Sequence, residues 1–175
     1  VESLLAKFQP NRSGKIERLQ RAALALYQSS RWTDVKKILE QILELAPANV
    51  LALELSGANY LIEKRFVDAI PIHRKRTAIA LQAPNAAMNC GVSLKAVGKI
   101  ELAIKGFNST ISLNQKHAKS YHNRDNALIT DRRFDLAIAL SKMAITCNPN
   151  YAKAYAGKFE RYSVSLPPDH IHVDP

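Results

Sequence analysis

Two asparagines, Asn89 and Asn123, stand 34 residues apart. A carboxamide offers one acceptor and two donors. A pair set at a fixed repeat distance can therefore hold the backbone of an extended peptide whatever its side chains. Lys95 and Lys119 lie near them in sequence and supply cations that favour a carboxylate. The longest run of bases, Arg74-Lys75-Arg76, follows His73 and is a candidate anion patch. On a helix, consecutive residues point in different directions and only those three or four apart share a face. The expectation for this run is a solvated convex surface.

Other chemistry-bearing residues lack a supporting pattern. Arg12-Ser13-Gly14-Lys15 contains a Gly-Lys pair, but without the spacing of a phosphate-binding loop or a preceding strand. Asp169-His170-Ile171-His172 with Asp174 alternates metal-ligand types, yet it follows two adjacent prolines in a tail. Cys90 and Cys147 fall inside predicted helices and read as small buried hydrophobes. Neither sits in a motif for nucleophilic catalysis, and no paired-carboxylate signature stands out. The expectation is a protein with no catalytic residues, no metal and no cofactor.

The elements that must position the amides follow from a repeat. Val35, Ala69, Ala103 and Ala137 recur every 34 residues. Three further columns keep the same phase: Ala23, Gly57, Gly91, Asp125; Leu26, Tyr60, Leu94, Leu128; and Trp32, Phe66, Ile100, Phe134. The last opens each second helix. Small residues allow two helices of a pair to cross closely, and the larger apolar columns fill the layers between pairs. One pair cannot bury its own apolar face, so neighbours stack into a shared core. Pro47 and Pro149 close units, because proline cannot continue a helix.

These columns resemble the tetratricopeptide repeat. The resemblance implies an all-α fold, a right-handed superhelix (α-solenoid) of four helix-turn-helix units. The units are expected over residues 16–49, 50–83, 84–117 and 118–151. An N-terminal extension covers 1–15, with a short helix at 2–8 and a loop from Pro10 to Gly14. A capping helix is expected over 152–165 and a flexible tail over 166–175. The second unit departs from the pattern, with His73 and Arg76 where an aromatic and a small residue are usual. Its Ala78 and Leu81 come two residues late, and proline later still at Pro84. The expectation there is a longer second helix in unit two, a shorter first helix in unit three, and irregular stacking between them.

The resemblance also implies a concave groove lined by the first helices. Its inward positions, carried onto this sequence, are Glu17, Gln20, Arg21, Leu24, Tyr27 and Gln28 in unit one. Unit two gives Leu51, Glu54, Leu55, Ala58, Leu61 and Ile62. Unit three gives Asn85, Met88, Asn89, Val92, Lys95 and Ala96. Unit four gives Lys119, His122, Asn123, Asn126, Ile129 and Thr130. The groove is thus apolar at unit two and rich in amides and bases at units three and four. The peptide-binding residues expected are Asn85, Asn89, Lys95, Lys119, His122, Asn123 and Asn126. A similar asparagine ladder occurs in O-GlcNAc transferase repeats. The carboxylate clamp of chaperone-tail adaptors is not reproduced, since Gln20, Leu24 and Leu55 occupy its first positions.

Net charge is +10 over 175 residues. Such a field attracts an acidic protein or peptide, nucleic acid or an anionic surface. The leading reading is a protein-interaction scaffold with a protein or peptide partner in the groove. Asn123-Arg124-Asp125-Asn126-Ala127-Leu128 resembles repeat units found before bacterial glycosyltransferase domains, which is one alternative. Gly91-Val92-Ser93-Leu94-Lys95-Ala96-Val97-Gly98 resembles segments of magnetosome-associated repeat scaffolds, which admits self-assembly into a homo-oligomer. Direct nucleic-acid binding rests on charge alone. No apolar run is long enough for a transmembrane helix. The expected location is cytoplasmic or peripheral to a membrane or organelle surface. Val1-Glu2-Ser3 has neither an initiator Met nor a signal pattern and reads as a processed boundary, leaving room for a larger parent protein.

Overall fold

The computed structural model describes residues 2–79 and 84–147. Among them every regular element is an α-helix: α1 (Glu2–Gln28), α2 (Trp32–Leu45), α3 (Val50–Ile62), α4 (Phe66–Ile79), α5 (Pro84–Ala96), α6 (Ile100–Leu113), α7 (Ala118–Thr130) and α8 (Phe134–Cys147). The second helices start at Trp32, Phe66, Ile100 and Phe134, and α3, α5 and α7 start at Val50, Pro84 and Ala118. Both series advance by 34 residues. Each helix packs on the next, and α3 also meets α5 as α5 meets α7. The first helices therefore lie side by side, as in a tetratricopeptide-repeat solenoid.

The turn inside each unit has one solution used four times. Ser30, Lys64, Gly98 and Arg132 all have positive φ, between 57° and 78°. In each turn two amides fold back onto the preceding helix. Arg31 N–H bonds the Leu26 carbonyl at 3.0 Å and Ser30 N–H the Tyr27 carbonyl at 3.1 Å. The same pair recurs at Arg65/Tyr60 and Lys64/Leu61, at Lys99/Leu94 and Gly98/Lys95, and at Arg133/Leu128 and Arg132/Ile129. This is a Schellman motif, which satisfies carbonyls that a helix end leaves without donors. A base follows each left-handed residue, at 31, 65, 99 and 133. That base sits by the negative helix end, where a cation is favoured. Arg65 also lies over the Tyr60 ring at 4.8 Å, and Arg31 pairs with Asp34 at 2.6 Å.

Within a unit, the small column faces a partner whose size is matched to it. A side chain begun at Gly57 would meet the His73 ring at 2.3 Å, and one begun at Gly91 would meet the Phe107 ring at 2.6 Å. Glycine is required there by close approach. Unit one uses Ala23 with Leu39, both in one buried cluster. Unit four inverts the sizes: Asp125 accepts a hydrogen bond from the Ser141 hydroxyl. Its other oxygen accepts from Arg124 Nε at 3.1 Å and Nη2 at 3.0 Å. A second cluster, with Leu94, Ile104, Phe107 and Leu128 at its centre, joins units three and four.

Three expectations are corrected here. Pro10 to Gly14 is not a loop, because α1 runs through it to Gln28. The backbone stays helical there apart from the one donor that proline lacks. The first helix of unit three is not shorter: α5 has 13 residues, as do α3 and α7. Pro84 does not end a helix; it opens α5, at the position where a missing amide is harmless. As expected, Pro71 lies inside α4. The bond it forfeits belongs to the Val67 carbonyl, in a residue 71% exposed, where water can take the donor's place. Residues 80–83, the capping helix over 152–165, the tail over 166–175 and the Cys147 side chain lie outside the described residues. Among the described residues no helix is long and apolar enough to cross a membrane.

Candidate functional site

The first helices divide cleanly by face. Helix α5 buries Ala86, Ala87, Cys90, Gly91, Ser93 and Leu94. Helix α7 buries Ser120, Tyr121, Arg124, Asp125, Ala127 and Leu128. The positions assigned to the groove lie on the remaining face. Among them Leu55 alone is buried; the rest are half-buried or exposed. Asn49 helps to fix this face at its start. Its carboxamide oxygen accepts from the Ala52 amide at 3.0 Å, capping α3. It also accepts from Gln20 Nε2 at 3.2 Å, tying α1 to α3.

The seven predicted binding residues fall into two groups. Asn89 and Asn123 are half-buried at equivalent positions of α5 and α7. Neither carboxamide is hydrogen-bonded to another described residue. Lys119 is exposed and makes no ion pair with a described residue. Asn85 and Asn126 are already engaged. Asn85 Oδ1 accepts from His117 Nε2 at 3.1 Å, and the other nitrogen of His117 lies 2.9 Å from the Ser120 hydroxyl. That chain links the start of α5 to the cap of α7. Asn126 Nδ2 donates to His122 Nε2 at 2.8 Å, which places the proton of a neutral ring on Nδ1. Lys95 is half-buried. The side chains that remain for a ligand are the amides of Asn89 and Asn123 and the ammonium group of Lys119, suited to peptide carbonyls, amides and carboxylates.

The candidate anion patch does not converge. The Arg74 guanidinium lies near Cys90 on α5, where its charge favours the thiolate. Lys75 is exposed. Arg76 points the other way, only 14% exposed, with Nη2 at 3.8 Å from Glu54 on α3. Its Nε and Nη1 are buried without partners. A solvated convex surface therefore describes Lys75 but not Arg76. Burial pushes the Cys90 thiol up, and Arg74 offsets this only in part. A raised thiol is a poor nucleophile at neutral pH. His73 is buried against Gly57 with Nε2 unpartnered, and burial lowers its pKa to about 4. No cluster of three metal-ligating side chains occurs among the described residues; Asp169, His170, His172 and Asp174 lie beyond them.

Periodicity could have revealed the bases at 31, 65, 99 and 133, since they keep the 34-residue phase. Their role as turn residues needed backbone geometry to see. Asp125 was legible only as a break in the small-residue column, and its hydrogen bond with Ser141 was not legible at all.

No family model matches the sequence, and no curated relative matches it. Solved structures of MamA are similar in fold. One superposes with a TM-score of 0.74 at 19% identity, covering 85% of this chain and 79% of that one. A second gives 0.72 at 18% identity, covering 83% of each. MamA from Desulfovibrio magneticus RS-1, residue 41 to its end, gives 0.71 at 17% identity over 75% of each chain. At these identities the likeness establishes the fold, a tetratricopeptide-type helical solenoid.

Proposed function

We propose that this chain is a non-catalytic scaffold that binds a protein or peptide partner across the face of α3, α5 and α7. One observation carries the reading: two carboxamides without a hydrogen bond to another described residue, Asn89 and Asn123, stand at equivalent places on adjacent helices of the less buried face. Each can meet one peptide group with both a donor and an acceptor. Lys119 beside them favours an acidic partner. The test is affinity capture followed by mass spectrometry, repeated with Asn89→Ala plus Asn123→Ala. The double variant is expected to lose captured partner while its helical circular dichroism and unfolding midpoint stay as in the parent. Undiminished capture would refute the groove reading.

A second reading is assembly of copies of this chain, in the manner of an organelle-surface scaffold. It is favoured by Leu102 and Leu136, exposed at equivalent places on α6 and α8. Sedimentation across a concentration series distinguishes it, since a monomer at every concentration removes it.

A further inference from the structure

The face proposed above is not uniform, and its pattern limits what can lie on it. Toward the turns inside each unit it is mainly apolar, with Ala58, Leu61 and Ile62 on α3, then Val92 and Ala96 on α5; Lys95, the base among them, is half-buried and already has a contact within the chain. Ile62 is 46% exposed, a large apolar side chain on a face of the first helices. Toward the opposite edge, α5 and α7 present Asn89, Lys119 and Asn123. No carboxylate occupies any inward position of α5 or α7. The apolar patch thus lies at units two and three near the turns, whereas the exposed base, Lys119, lies on unit four at the far edge.

Their separation follows from helix geometry. Packed helices lie about 8–10 Å apart, so α3 to α7 spans about 18 Å. Leu61 and Lys119 also differ by about ten positions along their helices, or about 15 Å at 1.5 Å per residue. The diagonal is about 23 Å, which an extended chain at about 3.3 Å per residue covers in about seven residues. From the nearer apolar residues on α5 the same path takes about five residues.

We infer that the ligand is an extended peptide segment with an aliphatic anchor and, five to seven residues away, a carboxylate. The aliphatic side chain covers Leu61, Ile62 and Val92. Its backbone crosses the Asn89 and Asn123 amides, and the carboxylate pairs with Lys119. Charge complementarity selects this occupant over a basic one, because the chain carries +10 overall and its polar patch holds amides and bases without acids. The inference rests on the groove reading.

A random peptide library selected on the immobilised full chain tests both and separates them. The Asn89→Ala, Asn123→Ala variant serves as the counter-target. Enriched sequences are expected to carry Leu, Ile or Val spaced about six residues from Asp or Glu. Replacing that acid by its amide is expected to weaken binding about threefold, as for an exposed ion pair, and the difference should vanish in Lys119→Gln. Enriched sequences that are neutral, basic or without the spacing would overturn this pattern and leave the groove reading standing. Failure of any peptide to enrich over the counter-target would overturn the groove reading and this inference with it.

Discussion

His73 and Phe107 occupy the same place in successive units, each with its ring against a glycine of the first helix. The histidine brings a buried nitrogen with no partner, so folding favours the neutral ring. Its pKa is lowered from 6.5 to about 4. Between those values the unfolded chain binds a proton that the folded chain does not. Stability is then full above about pH 6.5 and declines as the pH falls toward 4, by about 3 kcal/mol in total. His73→Phe should abolish this decline, with urea midpoints that no longer fall across the window; an unchanged slope would place the effect elsewhere. The glycine side of the contact gives a second expectation. Gly91→Ala overpacks against Phe107 and should cost about 1–3 kcal/mol. Adding Phe107→Leu recreates the Ala23–Leu39 pair of unit one, so the double variant should lose less than the sum of the singles. Strict additivity in that cycle would argue against size matching.

At the scale of elements, four identical turns hold the helix pairs in phase. Three of them place a residue with a side chain at positive φ: Ser30, Lys64 and Arg132. Gly98 alone adopts that conformation without a Cβ penalty. Lys64→Gly should therefore stabilise the protein by about 0.5–1 kcal/mol, the left-handed penalty less the greater chain entropy of glycine. Thermal unfolding reads the sign directly, and destabilisation would mean that the Lys64 side chain contributes contacts worth more than the strain. The turns also account for part of the positive charge. Arg31 and Arg65 face Asp34 and Asp68 across the next helix start. Arg133 reaches back to Glu101 of the preceding unit. These bases complete helix ends, and a ligand is not needed to explain them.

At the scale of the whole molecule, the remaining positive charge is dispersed. No patch of bases converges among the described residues at Arg74, Lys75 and Arg76. A dispersed field attracts polyanions through counterion release, and such binding weakens steeply with salt. Any retention of duplex DNA at about 50 mM salt should vanish by about 200 mM. Retention at the higher salt, measured by anisotropy, would show a dedicated nucleic-acid surface. A protein partner seated on Asn89, Asn123 and an apolar strip should persist under the same change, because neutral hydrogen bonds and apolar burial are screened little.

The sequence alone determined the repeat, its period and the helix starts from α2 onward, though not the run of α1 through Pro10. A 34-residue recurrence of small and apolar residues admits one economical packing, in which each pair buries what its neighbour leaves open. The positions that the family resemblance assigns to the groove fall on the less buried face of the first helices, Leu55 excepted. Tertiary structure decided what recurrence cannot encode. Whether Asn85 and Asn126 are spent on His117 and His122 depends on distances between helices. Whether Arg76 turns inward to Glu54 or outward beside Lys75 depends on the space left by α3. The exchange of Gly91–Phe107 for Asp125–Ser141 is tolerated because the two polar groups meet across one helix crossing. Each of these depends on three-dimensional contact between residues far apart in the chain, and a period in one dimension carries no such distances.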